Sequence, residues 1–144
     1  MTTYIALRIS GLEMSHDEIT AQLKIASPKI SKKGEIVNNK KYKLPPTIVQ
    51  EDSWMSGFEP YEHTKPQDAL EDFVMRFKPS FAYLKSLSKK YSVTVWVSLC
   101  PEKEQFNMHV TSKAIKALNE MGATLDCTMM FLQAFYEGDY HCLT

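Results

Sequence analysis

The sequence predicts an α+β fold: a single-domain sandwich in which a mixed, mostly antiparallel sheet carries helices packed mainly on one face. Three observations predict it. From Pro66 to Tyr91, Leu70, Phe73, Val74, Phe77, Phe81, Leu84 and Leu87 recur at helical spacing on one face. From Ser92 to Cys100 the residues alternate instead, with Val93, Val95, Val97 and Leu99 facing one way and Thr94, Trp96, Ser98 and Cys100 the other. With 144 residues the chain can bury one sizeable core and not two, so one domain is expected over 1–144, with a polar tail from about residue 137.

Taken in order, Tyr4 to Ser10 places Ile5, Leu7 and Ile9 on one face and reads as a half-buried strand ended by Gly11. Ser15 and Glu18 have capping-box spacing, and Met14 and Ile19 occupy hydrophobic-staple positions. With the stripe of Ile19, Leu23 and Ala26 they predict a helix from Ser15 to about Ile25. The next forty or so residues are rich in Pro, Gly, Asn and Lys and hold no sustained period. Two short strands, Lys41 to Leu44 and Ile48 to Met55, are expected among them.

The long helix begins at Pro66, with Asp68, Glu71 and Asp72 at its positive end and Lys85, Lys89 and Lys90 at its negative end. Pro79 removes a backbone donor from its interior at a cost of about 3 kcal/mol, so a kink or break is expected near Lys78. After the Ser92 strand, Pro101 to Gln105 reads as a polar turn. Phe106, Met108 and Val110 then alternate with Asn107 and His109 as a returning antiparallel strand. Thr111 or Ser112 caps a helix carrying Ala114, Ile115, Leu118 and Met121, which Gly122 ends. Leu125, Cys127, Met129 and Phe131 make a last strand. This order admits a ferredoxin-like layout among its topologies.

Composition narrows the partners. Lys plus Arg and Asp plus Glu number 17 each, so no net field gathers nucleic acid or an anionic membrane. Locally the balance tips: Lys24 to Lys43 holds seven lysines against Glu35, and Glu51 to Asp72 holds seven acids against Lys65. Cys100, Cys127 and Cys142 lack CxxC spacing, the N-terminus lacks signal-peptide character, and no apolar run approaches the about 18 residues of a membrane span. A reduced cytoplasmic protein is therefore expected.

Several stretches together carry a family resemblance: YIALRISG at Tyr4 to Gly11, SHDEITAQLKI at Ser15 to Ile25, PKISKKGE at Pro28 to Glu35, the later Trp54, and LNEMGATLDCTMMF at Leu118 to Phe131. In this order they resemble a bacterial domain-of-unknown-function family, number 4279, over nearly the whole chain. The run between Gly34 and Trp54 departs from the family's pattern. The resemblance implies a single α/β domain and assigns neither an activity nor catalytic residues.

No constellation of residues specifies bond-making chemistry. His16, His63, His109 and His141 are scattered over helix, loop, strand and tail, so no metal site and no cofactor are expected. Cys100 and His109 are the only candidate nucleophile and base, on neighbouring strands of the expected hairpin but without a third group. Lys32, Lys33 and Gly34 form a turn whose amides could meet an anionic ligand, although no phosphate-loop pattern surrounds them. The segment Glu51 to His63 is richer: Trp54, Phe58 and Tyr61 are large anchors interleaved with Glu51, Asp52, Glu59 and Glu62, a mixture suited to docking a basic partner. The competing structural reading puts Trp54 into the sheet edge and leaves the acids in water. Trp96 is either covered by a helix or displayed on an open sheet face. The expected function is non-enzymatic protein binding, with neutralisation of a cognate toxin domain as its specific form. A small-molecule or nucleotide-binding regulatory module at Lys32 to Gly34 is the alternative.

Overall fold

The computed structural model describes residues 2–26, 28–38, 45–101 and 107–129. In chain order its elements are β1 (Thr2–Ser10), α1 (His16–Leu23), β2 (Lys29–Ser31), β3 (Ile36–Val37), β4 (Thr47–Ile48), β5 (Ser53–Met55), β6 (Glu59–Glu62), α2 (Pro66–Met75), a 3-10 turn (Lys78–Ser80), α3 (Phe81–Leu87), β7 (Ser92–Cys100), α4 (Ser112–Met121) and β8 (Thr124–Met129).

Alternation in β1 and β7 does what period-two sequences do: it gives each strand one apolar face, and pairing merges the two faces into one layer. The strands run antiparallel over their full length, Thr2 opposite Cys100 and Ser10 opposite Ser92, which puts Ile5, Leu7 and Ile9 directly against Val97, Val95 and Val93. The other edge of β1 is shared between β5, which covers Arg8 to Ser10, and β6, which covers Thr2 to Ile5. Outside β5 lies β2, antiparallel to it. β1 and β2 are therefore parallel with β5 between them, and α1 joins them. That split βαβ unit, followed by α2, α3 and then β7 against the free edge of β1, is a ferredoxin-like layout. β8 extends it, lying parallel to β7 after the α4 crossover. Among the described residues β3 and β4 pair only with each other, as a two-stranded arm outside the sheet.

The helices cover the face that holds Ile5, Leu7, Ile9, Val93, Val95, Val97 and Leu99. Ile19 and Leu23 of α1, Leu70, Phe73 and Val74 of α2, Phe81, Leu84 and Leu87 of α3, and Ala114, Leu118 and Met121 of α4 join these residues in one apolar cluster. Each large side chain so buried stabilises the fold by about 1.5 to 3 kcal/mol. Pro79 acts as expected: α2 ends at Met75, the 3-10 turn spans Lys78–Ser80, and α3 starts afresh at Phe81. Gly122 ends α4 at φ 67°, and the Thr111 hydroxyl accepts from the Ala114 amide at 3.2 Å.

Several expectations are corrected. α1 spans His16–Leu23, stopped by Lys24 in a left-handed conformation, and the Ser15 side chain makes no capping hydrogen bond. Ile48 to Met55 is two separate strands, because β4 belongs to the arm and β5 to the sheet. Residues 107–110 form no strand. A strand has two edges, and those of β7 are taken by β1 and β8, so Met108 and Val110 pack on the core from an irregular segment. The expected Lys41 to Leu44 strand, Phe106, Phe131, His141, Cys142 and the tail from about 137 lie outside the described residues.

Candidate functional site

The segment expected to dock a partner is a strand with a break in it. At the break, Ser56 replaces a regular ladder rung: its amide donates to the Leu7 carbonyl at 2.9 Å, and its hydroxyl accepts from the Leu7 amide at 3.0 Å. Gly57, at φ 86°, then lets the chain resume as β6. Because β5 and β6 each pair with β1, alternate residues go to opposite faces.

Trp54 points to the helix side and is 0% exposed; its indole Nε1–H donates to Thr20 Oγ1 at 3.0 Å, and that hydroxyl donates to the His16 carbonyl at 3.1 Å. It is a core residue and no anchor for a partner, which corrects the expectation. Asp52 is equally internal in its bonding: its carbonyl accepts from the Gly11 and Leu12 amides, and its carboxylate accepts from the Lys33 amide at 2.7 Å. Phe58 packs edge-on against Trp96, ring centroids 5.2 Å apart, on the face away from the helices. Trp96 is half-buried there and donates from Nε1 to Thr128 Oγ1 at 3.0 Å. Glu51 and Glu62 are exposed at opposite ends of the segment.

Glu59 and Tyr61 converge instead on Arg76, a residue the sequence did not single out. Arg76 Nη2 lies 2.6 Å from Glu59 and 3.8 Å from Asp72, and it donates to the Tyr61 hydroxyl, which donates onward to Asp72 at 3.2 Å. The guanidinium stacks over Phe73 at 5.5 Å. Burial, opposed by the Arg76 charge and reinforced by Glu59 and Asp72, pushes the Tyr61 phenol up to about 12. Arg76 stands where two adjoining cavities of about 470 and 290 Å³ meet, with Ile25 and Phe77 shared between their walls. Leu23 and Tyr83 line the larger cavity, and Gly57, Phe58, Glu59 and Phe73 the smaller.

In the Lys32 to Gly34 turn the amides of Lys33 and Gly34 are already engaged within the chain. The Lys33 amide bonds Asp52, the Gly34 amide donates to the Val49 carbonyl at 2.9 Å, and the Glu35 amide donates to Lys32. What the turn does is launch the β3–β4 arm, whose Ile36, Val37 and Ile48 are 66%, 41% and 60% exposed. Ile30 on the neighbouring β2 is 37% exposed. These side chains went unremarked in the sequence because no period runs through the segment; the signal that could have found them is the cluster of branched aliphatics within a lysine-rich stretch.

Cys100 is 6% exposed at the end of β7, which withholds the access a nucleophile needs. His109 lines a different, shallow cavity of about 400 Å³ with His63 and Lys65. Cys127 is an exposed free thiol whose pKa is raised by burial of its sulfur and by Asp126; it lies 3.7 Å from the Met108 sulfur. Among the described residues, no three His, Cys, Asp or Glu side chains are grouped to hold a metal, and no helix is long and apolar enough to cross a membrane.

No curated protein and no solved structure matches the chain. A family model does, over residues 1–132, from the start of β1 through the whole of β8. The chain accordingly belongs to the family described as Domain of unknown function (DUF4279).

Proposed function

We propose that the protein is a non-enzymatic binding domain that grips a partner protein with the β3–β4 arm, and that the partner is a toxin domain it neutralises. The observation that carries this reading is the exposure of Ile36, Val37 and Ile48 on a two-stranded ribbon. Large aliphatic side chains gathered in water mark contact surfaces, and a lone two-stranded ribbon is marginally stable until something packs on it. Among the described residues of the same stretch, Lys29, Lys32 and Lys33 are exposed with Glu35, and the Asp52 carboxylate is engaged by the Lys33 amide. The complementary partner surface is therefore apolar at its centre and acidic at its rim, the reverse of the basic partner expected from Glu51 to Glu62.

Co-expression with the product of the adjacent gene tests the proposal. The wild-type chain should form a complex with that product and restore growth where the product alone is toxic. Ile36→Lys with Ile48→Lys should leave folding intact, because both side chains already face water. It should cost about 3 kcal/mol of binding or more, roughly a hundredfold in Kd. No complex and no rescue, equal binding by the double variant, or a homodimer of the chain held by the arm would each overturn it.

A further inference from the structure

The groove around Arg76 is separate from the arm and is unaccounted for by it. We infer that this groove binds a small uncharged apolar molecule that carries a carbonyl acceptor. Its walls are apolar where Leu23, Ile25, Phe73 and Phe77 meet it, and its two cavities fall in the size range of ligand pockets.

Two features of its polar groups set the ligand's chemistry. The first is what hydrogen bonding is left over. The contacts of Arg76 with Glu59, Asp72 and the Tyr61 hydroxyl all run through Nη2, and a guanidinium carries five N–H donors in all. Tyr83, in the wall of the larger cavity, has a buried hydroxyl with no partner among the described residues. An orphaned buried hydroxyl is destabilising, a cost relieved when the ring turns toward the cavity and meets an acceptor. Guanidinium nitrogens donate and never accept, so the ligand must bring the acceptor.

The second feature is charge. Lys24, Arg76 and Glu59 line the groove, Asp72 stands 3.8 Å from Arg76 Nη2 just outside its walls, and Glu18 acts on Tyr83 from α1. Two cations against three carboxylates leave no surplus positive charge to repay the desolvation of an anion. The carboxylates nearest Arg76 are already engaged by it, so a cation finds no free counter-charge either. A neutral carbonyl meets Arg76 and Tyr83 without that penalty.

Titration of the 15N-labelled full chain with three probes decides the matter: N-methyloctanamide, octanoate and octylammonium. The amide should shift the backbone signals of Ile25, Arg76, Phe77 and Tyr83, binding about tenfold more tightly than either charged probe. Tyr83→Phe should fold at least as well as wild type and weaken amide binding by about threefold to tenfold, the value of one ordinary hydrogen bond. Ile25→Trp should fill the groove and abolish the shifts. Octanoate or octylammonium binding as tightly as the amide, undiminished amide binding by Tyr83→Phe, or no shift from any probe at millimolar concentration would overturn the inference.

Discussion

Trp54→Ala separates a core residue from a docking anchor. Trp54 is fully enclosed, lies opposite Ile9 in the β1–β5 ladder, and bonds Thr20 on α1, so one side chain ties sheet to helix. Truncating a buried tryptophan costs about 3 to 5 kcal/mol, out of a typical total of about 5 to 15. For a chain of this length that lowers the melting temperature by roughly 10 to 15 °C. Trp54→Phe retains most of the packing and loses the indole bond, a loss of about 1 to 2 kcal/mol. The Thr20 hydroxyl keeps its bond to the His16 carbonyl in that variant and is not orphaned. Guanidinium denaturation followed by circular dichroism measures both variants. A Trp54→Ala protein with an unchanged midpoint but weakened partner binding would refute the burial and restore Trp54 as an anchor.

Three further outcomes follow from the geometry. At Gly122→Ala, a Cβ would collide with Ser88 Oγ and stand 2.7 Å from Ser88 Cβ at φ 67°, so a loss of about 2 to 4 kcal/mol is expected. Ser88→Gly should recover part of it in denaturant melts, whereas no loss in Gly122→Ala would mean α3 and α4 do not approach so closely. Tyr61, held near 12 by burial, keeps its proton in the folded chain above the pH at which the unfolded chain releases it. Its stabilising contribution is thus complete below about pH 10 and is lost as pH rises from about 10 to 12. Tyr61→Phe should flatten that part of the stability–pH curve, and an identical slope in both proteins would contradict the shift. Cys127, with its raised pKa, should label with iodoacetamide more slowly at pH 8 than a free cysteine in a short peptide, and faster as pH rises; labelling at the peptide's rate would contradict it.

Much of the fold was legible because its central elements obey strong periodic rules. Alternation in β1 and β7, the apolar stripe of residues 66–91 and the breaking power of Pro79 are local properties that tertiary packing reinforced. β2 and β6 were missed because each is short, and β6 carries Pro60, which reads against a strand yet is tolerated on an edge. The return hairpin after β7 failed for a non-local reason: Met108 and Val110 alternate correctly, but α4 delivers β8 to the edge they would have used. The candidate site was less legible. Glu59 and Tyr61 were picked out for solvent-facing chemistry, whereas their partner Arg76 caps the C-terminal end of α2 seventeen and fifteen positions later, a pairing that no sequence pattern encodes. The arm was hidden for the opposite reason, since exposed aliphatics in an irregular span resemble missed core.

Hydrogen exchange on the arm tests the central claim most directly. In the free protein the amides of Gly34 and Val49, which bond Val49 and Glu35 across the ribbon, should exchange far faster than those of β1 and β7. Adding the product of the adjacent gene should slow the arm amides by at least about tenfold while leaving the Glu59 to Glu62 amides unchanged. Slowing confined to Glu51 to Glu62, with the arm as fast as before, would place the contact on the acidic segment and contradict the account.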